Sequence, residues 1–433
     1  MRGNKSTHRR GRTAIVACLV AIAAIVTPAI AGTRSHTFHL TPDLALKRIR
    51  VSKGPQQIRV LTLSPGANVP DIAPATQQYP MSAHTSTMAA GAGAIAAING
   101  DYGADWERPK HTLMIDGELW TTGVSGGTAV AWSSNGKTAY VGHPQLKILA
   151  TDLTQTTSFF VKGWNARVPA GDTIQGYTAR GGTVIRPPGK TNPQPADPSY
   201  CAARLVPTSA VGWSGKKRTS IVRQYTVDAQ PEPCAQTPLG LGSVTDAVVV
   251  ASREHSTLAH KIVGLQPGDT VRLSFTFGGW PNVTDVMGAS ELLVKKGINV
   301  APHYQAGDNY VFNYNPRTAV GISKGCSDGD PTTTCHLIFI TIDGRQTNWS
   351  FGVRMPYLAG ELIHYGAYRA VNLDGGGSTT MWVKKRDPAY CQSTPSVGGC
   401  LVQRPSDSTG ERSKQSAIVV LPSGDAGTPS GLR

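Results

Sequence analysis

Apolar positions along this chain fall in short runs of four to eight residues, and Gly, Pro, Ser and Thr break nearly every run. Residues 58–63, 94–99, 247–252, 270–277, 318–322, 337–342 and 417–421 read as strands, and 113–120 as a hairpin turning at Asp116-Gly117. Helical spacing is scarce. Residues 86–94 suit a short Ala-rich helix, and a second helix runs from Pro356 to Gly366 with Leu358, Leu362 and Tyr365 on one face. At about 100° per residue, Glu361 lies about 60° from Leu358, on the shoulder of that face. The helix feeds through residues 367–370 into an apolar run that ends at Asp374, so Glu361 and Asp374 are expected in one local unit. The fold class expected from this pattern is α+β: strand-rich mixed sheets with a few helices around one cleft.

Composition adds an address. Arg2, Lys5, Arg9, Arg10 and Arg12 precede an apolar stretch from Ala14 to Val26, and Ala29-Ile30-Ala31 supplies small residues for cleavage, so residues 1–31 read as a signal peptide. The expected organisation continues with N-terminal strands and a short helix over 32–90, one domain over 91–421 with an insertion at about 185–240, and a flexible tail over 422–433. Six prolines between 186 and 207 mark the insertion. No later apolar run is long enough to cross a bilayer, so no membrane span is expected after signal removal, and the location is read as secreted, extracellular or cell-wall associated. Six cysteines follow the leader, an even number that reads as disulfides in an exported chain. Sequence proximity favours Cys201 with Cys234, Cys326 with Cys335, and Cys391 with Cys400.

The formal charge of +15 includes five basic and no acidic residues in the leader, so 15 − 5 = +10 remains after it; that surplus suits either generic solubility or an anionic partner such as a phosphate-bearing envelope polymer. Nucleic acid is not expected, because Lys and Arg are scattered and aromatics make up only 7% of residues. No cofactor and no metal are expected. His36 and His39 form the one close histidine pair, His364 is the one other histidine read as standing beside a motif, and neither a His-Glu-x-x-His nor a Cys-x-x-Cys occurs. Ser327-Asp328-Gly329-Asp330 offers oxygens for calcium but lacks the remaining loop ligands. Oligomeric state is not legible.

Four stretches set a charged or amide side chain beside small residues at the end of an apolar run: Ile98-Asn99-Gly100-Asp101-Tyr102, Arg317-Thr318-Ala319-Val320-Gly321, Ile342-Asp343-Gly344-Arg345-Gln346, and Asn372-Leu373-Asp374-Gly375-Gly376-Gly377-Ser378. A strand end next to Gly can project a polar side chain into a cleft from a rigid support. The glycine triplet alone is equally compatible with a hairpin connection or with a turn whose N–H groups cradle an anion. With Glu361, Gly366-Ala367 and a closing Glu411-Arg412, these stretches resemble, in order, the phosphodiester glycosidase family, over roughly residues 56–421. Asp101 stands where many members have Gly, and the insertion separates the first motif from the second.

The resemblance implies hydrolysis of a sugar-1-phosphodiester between the anomeric carbon and the phosphate oxygen. Phosphate is a good leaving group, so neutralising its charge matters more than protonating it. Arg317 and Arg345 suit that task. Gly100, Thr318, Gln346 and the N–H groups of Gly375, Gly376, Gly377 and Ser378 complete the expected phosphate and substrate contacts, while Asn99 and Asn372 would bond sugar hydroxyls or orient a carboxylate. Asp374 is the first candidate for nucleophile or base, followed by Glu361, Asp101 and Asp343. Glu411 and Arg412 are expected as a supporting pair. Each of these residues also has a structural reading, as a turn cap, a buried amide or an ion pair. The expected partner is a sugar-1-phosphodiester or phosphate-bearing glycan; the alternatives are cleavage of the phosphorus–oxygen bond, or binding of an anionic glycan without turnover.

Overall fold

The computed structural model describes residues 32–423 apart from 105–106, 167–169, 182–198, 230–233, 235–238, 242–245, 304–312, 327–333 and 393. The expected signal peptide, the turn at 327–330, the tail beyond 423 and most of the proline-rich segment lie outside the described residues.

Strands dominate, and the α+β expectation is corrected: the fold is mostly β, with three short helices among the described residues, Thr85–Gly91, Ala259–Val263 and Met355–His364. The reason is in the periodicity. Only the last of these carries several apolar residues on one stripe, and helices of 7, 5 and 10 residues are too short to be stable without a sheet to pack on.

Two sheets carry the four motif stretches. An antiparallel eight-stranded sheet runs Thr33–Thr41, Leu44–Val51, Gln56–Leu63, Leu337–Ile342, Arg317–Ile322, Arg369–Asn372, Leu292–Lys295, Ile298–Asn299. A five-stranded antiparallel sheet runs Cys400–Leu401, Met381–Val383, Ala96–Asn99, Ser416–Pro422, Asn68–Pro74. Their facing sides share one core: Leu61, Val320, Phe339 and Val371 from the first sheet meet Ile98, Met381, Ile418 and Val420 from the second. Another five-stranded sheet, centred on Asp285–Ala289, contributes Trp132, Val130 and Met287 to the same core.

Outer faces are covered by helices. Met355, Leu358, Ala359 and Leu362 pack on Ala319, Ile338, Ile340 and Ala370, and Met88 and Ala89 pack on Ala97, Trp382 and Val419. A nine-stranded sheet drawn from residues 145–278 has its own core, with Ile148, Leu205, Tyr225, Val250 and Phe275, and meets the rest of the molecule at Met114, Leu119, Ala129 and Ala131. Tyr200–Pro207, within the segment expected as an insertion or linker, is a central strand of that sheet.

All three expected cysteine pairings are formed: Cys201–Cys234, Cys326–Cys335 and Cys391–Cys400, with Cα–Cα separations of 4.2, 4.1 and 5.5 Å. No helix among the described residues is long and apolar enough to cross a membrane.

Candidate functional site

Strand Arg369–Asn372 leaves the middle of the eight-stranded sheet, and the chain then crosses to the five-stranded sheet through Asp374 and the glycine triplet. Each glycine answers a different steric demand. A Cβ on Gly375 would lie 2.7 Å from the Pro316 carbonyl oxygen, and Gly376 has φ +60°, in the region that penalises side chains. A Cβ on Gly377 would fall 2.2 Å from Asp407 Oδ2 and 2.4 Å from Arg412 Nη2. The Arg345 guanidinium lies on Gly376, with its nearest nitrogen 3.1 Å from where that Cβ would stand, and is steadied by Nε donating to Asn315 Oδ1 at 3.0 Å. Two arginines therefore sit against this turn, Arg345 on one glycine and Arg412 on the next. The Arg412 charge is shared with Asp407 at 2.7 Å. Ser378 is fully buried and its Oγ has no hydrogen-bond partner among the described residues.

Asp374 is buried at the mouth of this turn. Lys414 Nζ donates to its Oδ2 at 2.5 Å, between side chains only 5% and 12% exposed. The Asp374 carbonyl accepts from Asn99 Nδ2 at 2.8 Å. Asn99 spends its whole amide inside the protein, since its Oδ1 accepts from Thr318 Oγ1 and from the Thr380 N–H. It is a clamp between the two sheets. Gly100 bonds through its N–H to the Ser416 carbonyl, and a Cβ there would meet that same oxygen at 2.7 Å.

Asn372 Nδ2 is surrounded by Tyr102 OH at 3.0 Å, Glu291 Oε2 at 2.9 Å and Ser290 Oγ at 3.3 Å, while its buried Oδ1 has no partner among the described residues. Asp101 grips one residue twice: its Oδ2 accepts the His111 N–H at 2.9 Å and its Oδ1 lies 2.8 Å from His111 Nδ1. Three glycines make room for that histidine, because a Cβ on Gly123, Gly127 or Gly288 would come within about 2.5 Å of His111.

Other expected residues stand apart. Arg317 is buried on the helix-covered side, with Nε donating to the Val353 carbonyl and Nη2 to the Asn313 carbonyl. Glu361 is half-buried on its helix and hydrogen-bonded to Tyr357, whose hydroxyl is pushed up by burial and by the Glu361 charge. No contact among the described residues joins Glu361 to Asp374. Asp343 accepts from Trp349 Nε1 at 2.6 Å and from the Arg404 N–H, with Arg59 Nη2 3.9 Å away. Burial raises the Asp343 carboxyl above its ordinary value, and Arg59 offsets part of the rise; burial in turn lowers Arg59. Gln346 holds the carbonyls of Arg404 and Pro405. Glu411 and Arg412 do not pair with each other. Glu411 accepts from the Ser86 N–H and hydroxyl at the start of the first helix, and Arg412 pairs with Asp407.

Sequence reasoning missed Lys414, His111 and Glu291. Lys414 had a signal, a lysine two residues before an apolar strand; His111 lies outside every motif, and it is Asp101 that brings it in. One further acidic group could hold a cation: ligand oxygens of Asp71, Asp116 and Asp285 lie within 4.8 Å of one another. Burial and the charges of Asp71 and Asp116 push the Asp285 carboxyl well above its ordinary value.

Comparison with known proteins places this geometry. The family model of phosphodiester glycosidases matches residues 221–421. No curated protein matches the chain in sequence. A hypothetical protein from Synechocystis superposes with a TM-score of 0.61 at 18% identity, over 89% of this chain and 63% of that one, so this chain spans less than two thirds of that relative's length. A protein from Burkholderia pseudomallei, exported by its name, superposes at 0.56 and 20% identity, over 87% of this chain and 77% of that one. These two share the fold. The catalytic domain of zebrafish N-acetylglucosamine-1-phosphodiester α-N-acetylglucosaminidase, auto-inhibited by its pro-peptide, reaches only 0.39 at 12% identity, over 91% and 84% of the two chains, too low to argue from. The motif order and the glycine turn agree with that family match, which covers residues 221–421 and so includes Arg317, Arg345, Asp374 and the glycine triplet.

Proposed function

We propose that the chain is an exported hydrolase that cleaves a sugar-1-phosphodiester between the anomeric carbon and the phosphate oxygen. The observation that carries this reading is the glycine turn: one fixed carboxylate, Asp374, at its mouth, and the Arg345 guanidinium lying on its second glycine. Breaking the anomeric bond builds positive charge on the sugar and negative charge on the departing phosphate. A carboxylate on the sugar side and a guanidinium on the phosphate side oppose both charges from positions set before the substrate arrives. Asp374 acts as nucleophile or as base for water; Lys414 holds its Oδ2 and leaves Oδ1 to turn towards the substrate. Arg345 meets the phosphate, and Asn99 and Thr318 keep the Asp374 backbone in register. The disulfides fit an oxidising compartment.

Hydrolysis of sugar-1-phosphodiesters in ¹⁸O-water tests the bond assignment. Label is expected on the sugar, with turnover abolished in Asp374→Asn. Label on the phosphate would instead mark a phosphodiesterase, and tight glycan binding with no turnover across a broad panel would mark a binding protein.

A further inference from the structure

The loop from Arg404 to Arg412 has two sides. Asp407 and Arg412 lie against Gly377 of the glycine turn. Arg404, Ser408 and Thr409 line a separate cleft of about 950 Å³, together with Trp349 and His84. That volume is at the upper end for small-ligand sites, which run to about 1,000 Å³, and leaves room for more than one sugar ring.

Its floor is fixed. Trp349 is held by its indole N–H on Asp343, the same carboxylate accepts the Arg404 N–H, and Gln346 ties down the Arg404 and Pro405 carbonyls. The Arg404 guanidinium stands 5.9 Å from the centre of the Trp349 ring and is exposed. An Asp407–Gly410 bridge and the Glu411–Ser86 bonds stiffen the rest of the loop. Buried Asp343 thus does its work as a support: it orients an aromatic face and an arginine in a cleft that Ser408 and Thr409 also line.

Building on the function proposed above, we propose that this cleft is a glycan subsite that binds a part of the substrate beyond the scissile bond, and that its ligand is an anionic oligosaccharide. A sugar ring packs on the Trp349 face, a phosphate or carboxylate on the glycan meets Arg404, and Ser408 and Thr409 bond ring hydroxyls. The shared loop sets the spacing between this subsite and the glycine turn, so chain length becomes the property the enzyme reads.

The test uses full-length protein carrying Asp374→Asn, so that binding is measured without turnover, and calorimetric titration with a glycosyl-1-phosphate dimer and the corresponding tetramer. The tetramer is expected to bind about tenfold more tightly than the dimer, equivalent to about 1.4 kcal/mol. Trp349→Ala or Arg404→Ala should remove that advantage and leave dimer binding unchanged, while Trp349→Phe should keep most of it. Arg404→Ala changes an exposed side chain and so keeps the test interpretable if Trp349→Ala disturbs folding. Equal affinity for the two lengths, or equal losses for both in the variants, would overturn the subsite. Binding with no hydrolysis by the native protein would overturn the catalytic reading and leave the subsite standing; hydrolysis without length preference would do the reverse.

Discussion

Replacing Lys414 by Met removes an ammonium and keeps the stem of the side chain, which isolates the ion pair with Asp374. At 2.5 Å and an effective dielectric of about 20, the gross attraction is about 6–7 kcal/mol. Desolvating both ions offsets much of that, so the pair itself adds little to stability. Its rupture is another matter, because Asp374 then stays buried without its partner, at a cost of about 3–5 kcal/mol. Backbone bonds between Lys414 and Ala83 are unaffected, so the strand entry should keep its path. Urea unfolding of the four proteins in a Lys414→Met and Asp374→Asn cycle measures the coupling. The expected pattern is a large loss for Lys414→Met, a smaller one for the double variant, and a coupling of about 2–4 kcal/mol. On the function proposed above, Lys414→Met should lower kcat far more than it raises KM in turnover assays, since it misplaces the proposed reacting group and not a binding one. A loss below about 1 kcal/mol with additive variants would show that water already satisfies Asp374, and the account of a fixed carboxylate would fall.

Two other perturbations follow from the same reasoning. Asp285 has its carboxyl raised by burial, Asp71 and Asp116, so the stability it lends is full below the ordinary carboxylate range and lost as pH rises through its folded-state value. Asp116→Asn removes one repelling charge at a position with φ 51°, which Asn tolerates, and should raise Tm at pH 7 by the equivalent of about 1–3 kcal/mol, with the gain vanishing near pH 3; a Tm unchanged at both pH values would refute it. Gly377→Ala places a Cβ within 2.4 Å of both members of the Asp407–Arg412 pair, which must swing aside. Because these are side-chain tips, Tm should fall little while kcat/KM drops on the order of 100-fold, and an unchanged kcat/KM would remove that pair from the site.

Much of the sheet framework was legible because it is local. The strand candidates at 58–63, 318–322, 337–342 and 417–421 correspond to strands that stand buried along their length, and continuous apolar runs announce such strands plainly. The α+β reading gave the few expected helices too much weight: the two short helical stretches are covers over single sheet faces. N-terminal strands were expected over 32–90, but the bounds of Thr33–Thr41 and Leu44–Val51 were not legible, since the first is largely exposed and the second breaks its apolar alternation with Lys and Arg. Gln56–Leu63 pairs with Leu44–Val51, which in turn pairs with Thr33–Thr41.

At the site, sequence could show which residues end strands but not which side chains meet across the gap. Asn99, Thr318 and Asp374 converge because two sheets abut along the core of Ile98, Val320 and Val371, a distance of some 220 residues along the chain between Asn99 and Thr318. Glu361 illustrates the opposite error. Only thirteen positions of sequence separate it from Asp374, yet a sheet has two faces, and its helix packs on the face that Ala319 and Ala370 occupy while Thr318 bonds Asn99 on the other. Period-two alternation therefore divides the expected site. Arg317, in phase with Ala319, goes to the helix side and is absorbed in backbone carbonyls; Arg345, beyond the strand end and free of that alternation, reaches the glycine turn. Of two arginines with equal standing in the sequence, the one released from the pleat is the one that lies on the glycine turn, and the proposed phosphate contact rests on it.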